Sequence, residues 1–105
     1  MGSDTIHEPR DLLSTETLDM HRAIVSLMEE LEAVDWYQQR AEACGDSELK
    51  QILTHNKNEE IEHASMLLEW IRRHDGGFDE MLRRFLFTKV PIVAVETPPE
   101  VTGKA

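Results

Sequence analysis

Leu49-Lys50-Gln51-Ile52-Leu53-Thr54-His55-Asn56-Lys57-Asn58-Glu59-Glu60-Ile61-Glu62-His63-Ala64-Ser65-Met66-Leu67-Leu68-Glu69-Trp70 is the stretch on which the fold turns. Leu49, Leu53, Asn56, Glu60, His63, Leu67 and Trp70 recur at alternating spacings of four and three, the mark of one helix face laid against a neighbour. The face is apolar at both ends and polar in its middle. Upstream, Ala23, Leu27, Glu30, Val34 and Tyr37 repeat the pattern, again with an acid at the centre. Between the two runs stands Gly45-Asp46-Ser47, where glycine ends a helix and Asp46 or Ser47 caps the next. Folded back at Gly45, residues whose numbers sum to about 90 lie level. Glu30 then meets Glu60, Leu27 meets His63, and the two polar centres coincide.

Outward from this hairpin, a first helix is expected from about 15 to 44, starting after Ser14 or Thr15, with Glu16 in its first turn where the helix dipole favours an acid. The second runs from about 47 to 74 and stops at Asp75-Gly76-Gly77. A short third helix is expected over 78–87, with Phe78, Met81, Leu82, Phe85 and Leu86 on one face. Residues 1–13 read as a flexible arm and 91–105, with Pro91 and Pro98-Pro99, as an extended or disordered tail, leaving 14–90 as one helical domain. The fold class is all-α: an antiparallel two-helix hairpin plus a short C-terminal helix. Two long helices bury little by themselves. Further apolar positions such as Met20, Ile24 and Leu31 widen the face, which suits a four-helix bundle completed by dimerisation.

The chain has 105 residues, enough for one small domain, and 40% hydrophobic content argues against a disordered polymer. A formal net charge of −10 disfavours nucleic acid, whose phosphates call for a basic patch. No apolar run approaches the roughly 18–20 residues that span a bilayer. Met1-Gly2-Ser3-Asp4 carries no basic region ahead of an apolar one, so no secretory signal is expected. The single cysteine, Cys44, closes no disulfide within the chain.

Glu60-Ile61-Glu62-His63 is a Glu-x-x-His motif, whose first and last side chains leave one helix face and can reach one ion. The motif alone is common. Its place in an apolar seam, opposite Glu30, gives it weight: side-by-side ionised carboxylates repel and are costly to bury, and a divalent cation between them removes both penalties. Carboxylate and imidazole without thiolate point away from structural zinc and iron–sulfur clusters, and toward iron, manganese or zinc. Carboxylate-bridged diiron bundles take one Glu from each of two helices and a Glu-x-x-His from each of two others. This chain holds half of that set. A two-fold dimer duplicates every ligand, giving two irons per dimer interface held by Glu30, Glu60 and His63, with Glu60 bridging. Glu29 and Glu32 share a face offset from Glu30; they either gather cations near the centre or form a solvated acidic surface. Tyr37 either hydrogen-bonds a ligand carboxylate or is a core aromatic, with Trp36 beside it.

With those residues in view, the chain closely resembles the encapsulated ferritins over roughly residues 7–92. The resemblance rests on His21-Arg22-Ala23-Ile24-Val25-Ser26, Met28-Glu29-Glu30-Leu31-Glu32-Ala33-Val34-Asp35-Trp36-Tyr37, His55-Asn56, Glu59-Glu60, Glu62-His63, Leu68-Glu69-Trp70-Ile71-Arg72-Arg73 and Leu86-Phe87-Thr88. It implies a ferroxidase that oxidises Fe²⁺ to Fe³⁺ with dioxygen at a diiron centre between subunits, in a homodecamer ring of five dimers. It implies Glu30, Glu60 and His63 as iron ligands, Glu29 and Glu32 as an outer metal or access site with Trp36 alongside, and Tyr37 as support for the ligand glutamate. It also implies work in the bacterial or archaeal cytoplasm inside an encapsulin shell, where iron is stored. Members commonly carry a C-terminal shell-addressing peptide rich in Gly, Leu and Ser; Val101-Thr102-Gly103-Lys104-Ala105 shows none, so a shortened chain or another route, such as fusion, is expected. Two alternatives stay open: another diiron bundle enzyme, although those usually hold two Glu-x-x-His motifs per chain, and a metal-free helical dimerisation module.

Overall fold

Ser14 starts the first long helix by accepting the Thr17 N–H on its side-chain oxygen at 3.1 Å, so α1 runs Thr15–Ala43. Cys44 takes an extended backbone and ends it. Asp46 then caps the next helix: its carboxylate accepts the Leu49 N–H at 2.8 Å, its carbonyl the Lys50 N–H at 2.9 Å, and α2 runs Ser47–His74. Gly45 does not need its special freedom here, since no glycine among the described residues has positive φ. This computed structural model describes residues 5–96. The chain divides into two compact units, Met1–His74 and Asp75–Ala105.

In the first unit α1 and α2 pair antiparallel. Lys57 Nζ donates to Gln38 Oε1 at 2.8 Å, and His63 Nδ1 lies 3.5 Å from Glu30 Oε1, so residue numbers on one helix fall as those on the other rise. Alanines let the backbones approach: Ala23, Ala41 and Ala64 are buried, together with Ile71, which is 1% exposed. Those four are the whole buried set among the described residues. Leu27, Val34, Leu53 and Leu67, expected in the seam, are only half-buried, and Ile24, Leu31, Ile52, Ile61 and Met66 are exposed. One hairpin thus leaves a good part of its apolar surface wet, at a cost of about 25 cal/mol for each Å² not covered.

The end of α2 is fixed by charge. Glu69 Oε1 accepts Arg72 Nε at 2.8 Å, while Oε2 accepts the other Arg72 nitrogen and Arg73 Nε, both at 2.7 Å. Hydrogen bonds first from Arg72 and then from Arg73 hold the Glu69 carboxyl down at about 2. A depressed acid stabilises the fold fully above its ordinary range near 4.5 and loses that contribution as pH falls toward 2. Glu69→Gln is therefore expected to lower the unfolding midpoint at pH 5 and to converge with the wild type by pH 2. Denaturant curves at both pH values check this; an unchanging gap would reject it.

In the second unit the Asp75-Gly76-Gly77 break is also a start. The Asp75 carboxylate accepts the Phe78 N–H at 2.9 Å, which recruits both glycines into the first turn, so α3 is Gly76–Phe85 where 78–87 was expected. The far end comes earlier because Leu86 is extended and Phe87 turns left-handed, at φ 62°. The stretch expected to be extended from 91 onward instead holds a short helix, α4, Ile92–Glu96. Pro91 opens it, its carbonyl accepting the Ala94 N–H at 3.0 Å, and Arg84 closes it by donating to the Val95 and Glu96 carbonyls at 3.2 and 2.8 Å. Residues 97–105 of the expected tail lie outside the described residues. The expected arm contains a single 3-10 turn, Arg10–Leu12, opened by Pro9; residues 1–4 lie outside the described residues. The described residues are all-helical with no strand, and none of their helices is long and apolar enough to cross a membrane.

Candidate metal centre

Midway along the hairpin, Glu30 on α1 and Glu60 with His63 on α2 each offer one ligand atom, and these atoms lie within 4.8 Å of one another. They form the one group of this kind among the described residues. The spacing of three in α2 stacks Glu60 under His63, with Nδ1 3.3 Å from Glu60 Oε1. Antiparallel pairing brings Glu30 Oε1 to the same nitrogen from the other helix, at 3.5 Å. The two carboxylate side chains are 25% and 24% exposed and that of His63 42%, so the cluster is half-covered, with one side open.

The electrostatics of the trio are those of negative charge awaiting a counter-charge. Glu60, standing beside Glu30, raises the Glu30 carboxyl above the usual range, and partial burial adds to this. Glu60 is lowered, chiefly by hydrogen bonding with Glu30, while His63 is raised, chiefly by hydrogen bonding with Glu60. Glu30 Oε1 is shut off from solvent and accepts no hydrogen bond, because the ring nitrogen 3.5 Å from it, His63 Nδ1, is engaged with Glu60 Oε1 at 3.3 Å. An acceptor shielded from water without a donor is costly. A divalent cation among these three atoms would satisfy it, and the donor set of two carboxylate oxygens and one imidazole nitrogen fits iron or manganese. Each residue present is therefore of a kind that such an ion accepts.

The remaining sequence candidates fall outside the trio. Glu29 and Glu32 are exposed on α1 and join no cluster. Tyr37 is half-buried, and no hydrogen bond links its hydroxyl to Glu30 within one chain. Trp36 is 50% exposed. Both rings instead face Arg40, whose guanidinium carbon sits 5.9 Å from the Trp36 ring centre and 5.5 Å from that of Tyr37. Arg40 went unnoticed in the sequence; its position four and three residues after the aromatics was the available signal. The Lys57–Gln38 bond was also unforeseen, because lysine on a helix usually reads as solvated.

Comparison with known proteins gives three consistent findings. The EncFtn-like family model matches residues 5–89. An encapsulated ferritin-like protein of Rhodospirillum rubrum is 58% identical over 95 residues, 90% of this chain and 68% of the relative, and a ferritin-like protein of Thermotoga maritima is 50% identical over 94 residues, 90% of this chain and 82% of the relative. A crystal structure of a Nitrosomonas europaea protein superposes with a TM-score of 0.80 at 64% identity, covering 83% of this chain and 96% of the other.

Proposed function

Because the chain belongs to the EncFtn-like family of ferritin-like proteins, we propose that it is a ferroxidase, completing its iron site by pairing two copies and feeding an iron store inside an encapsulin shell. The observation that carries this reading is the convergence of Glu30, Glu60 and His63 on one point, with an acceptor oxygen left unsatisfied there. Fe²⁺ is the substrate: an electron leaves each ion and is taken up by dioxygen. The protein's part is electrostatic and positional. Concentrated carboxylate charge favours the more positive oxidised ion, and the fixed helix register holds the ligands at one level before iron arrives.

A two-fold partner would supply the second Glu30, Glu60 and His63, making a site for two irons, with Glu60 bridging them. The thin core of the single hairpin supports the same pairing, since a second hairpin has apolar surface to cover. A ring of five such dimers and a shell as host follow the family's pattern. Dioxygen uptake by the purified oligomer, with Fe²⁺ added and native mass recorded before and after, tests the proposal. An uptake no faster than Fe²⁺ in buffer, with no change in bound iron, would overturn it and favour a metal-free dimerisation module.

Glu29 and Glu32 would gather Fe²⁺ on the way to the centre, with Trp36 and Tyr37 alongside. Glu29→Ala combined with Glu32→Ala is expected to slow uptake several-fold while the three-ligand centre still fills. Loss of centre-bound metal from that double variant's crystals would instead join both acids to the centre itself.

A further inference from the structure

Arg40 lies in the last turn of α1, where its charge also complements the helix dipole. Its guanidinium addresses two aromatic rings at once, Trp36 at 5.9 Å and Tyr37 at 5.5 Å from their centres. Both rings are on the helix that carries Glu30, and Tyr37 follows Glu30 by seven residues, about two turns or 10 Å along the same face. A cation over an aromatic face is attracted to the ring's electron density. The same Coulomb interaction opposes taking an electron away, because the ring left behind is positive and sits beside a fixed positive charge. Indole and phenol are also the most readily oxidised rings in the chain, and this pair stands six and seven residues from Glu30, part of a site read as handling Fe²⁺ and dioxygen.

We propose that Arg40 guards Trp36 and Tyr37, its cation making each ring harder to oxidise so that the aromatics beside the iron site survive its oxygen chemistry. The need for a guard rests on the ferroxidase reading; the electronic effect of Arg40 does not. The hazard balances as follows. Dioxygen reduced by two Fe²⁺ with two protons gives hydrogen peroxide. A further Fe²⁺ passes one electron to the peroxide, becoming Fe³⁺ and leaving hydroxide and a hydroxyl radical. The radical takes one electron from indole and departs as hydroxide, leaving the ring as a radical cation. Arg40 raises the cost of that last transfer without touching iron, so it acts through the rings and is not a catalytic residue.

The test compares wild type, Arg40→Met and Arg40→Lys as intact oligomers under two oxidants. One arm uses hexachloroiridate(IV), which removes one electron and needs no iron; the other uses Fe²⁺ with dioxygen. Peptide mass spectrometry reads Trp36 oxidation relative to Trp70, an internal reference stacked on His74 at 3.9 Å. Arg40→Met, which keeps length and helix propensity but drops the charge, is expected to raise the Trp36-to-Trp70 ratio about two- to fivefold in the iridate arm, the scale of an exposed cation–π contact. Arg40→Lys, which keeps the charge, should stay closer to wild type, a rescue that simple packing would not give. An unchanged ratio in Arg40→Met, or a lysine variant as vulnerable as the methionine one, overturns the guard. A rise under iridate with no tryptophan oxidation under Fe²⁺ and dioxygen in any variant supports the electronic effect and counts against the oxygen chemistry instead.

Discussion

Alanine at Glu60 is expected to cut iron-dependent dioxygen uptake by about a hundredfold or more, with Glu30→Ala and His63→Ala close behind. Outer partners of metal ligands typically cost 10–100-fold when removed, and these three side chains are assigned to direct contact. Glu60 should be the most damaging. Its Oε1 lies 3.3 Å from His63 Nδ1, against 3.5 Å for Glu30 Oε1, so its loss removes the shorter of the two contacts that His63 makes in the trio. In the proposed two-fold pair it would also be the ligand common to both irons. Stopped-flow absorbance on the purified oligomer, together with bound iron per chain, separates lost chemistry from lost binding. Wild-type rates in Glu60→Ala would remove the trio from the reaction.

How much of this was legible beforehand depends on the range of the forces involved. The hairpin was written locally: Ser14 and Asp46 are polar residues just ahead of long apolar periods, and each caps the N–H of the third residue after it. The meeting of Glu30 with Glu60 and His63 followed from two periods and one turn. The start of α3 was missed because Gly76-Gly77 reads as a stop, whereas the Asp75 carboxylate converts it into a first turn. The helix α4 was missed for a longer-range reason: its last carbonyls are satisfied by Arg84, eleven and twelve residues away, and no local propensity announces that. Arg40 escaped because a cation–π contact depends on the rotamers of three side chains, two of them exposed, which periodicity does not encode.

Glu30→Leu should make the metal-free protein more stable at neutral pH and leave it unable to take up iron. Ionised Glu30 has one oxygen shut off from water without a donor, and it faces a second carboxylate. Replacing a poorly satisfied, half-covered charge by an apolar side chain of similar size removes a desolvation cost, as it often does for buried charges. Leucine also keeps the helix propensity of α1 and adds apolar surface to a seam whose buried set is small. The expected rise in the metal-free melting midpoint is about 4 °C or more, the scale of ~1 kcal/mol in a domain of this size. A cation reverses the order. Manganese, which avoids the redox reaction, should raise the wild-type midpoint, by about 2.7 kcal/mol of stability at a hundred times its dissociation constant. It should leave Glu30→Leu unmoved. Melting curves with and without Mn²⁺ would then cross, the wild type lower when empty and higher when filled. A leucine variant less stable than wild type in the absence of metal would mean that Glu30 is already satisfied without a cation, and the case for a site poised around an ion would lose its energetic basis.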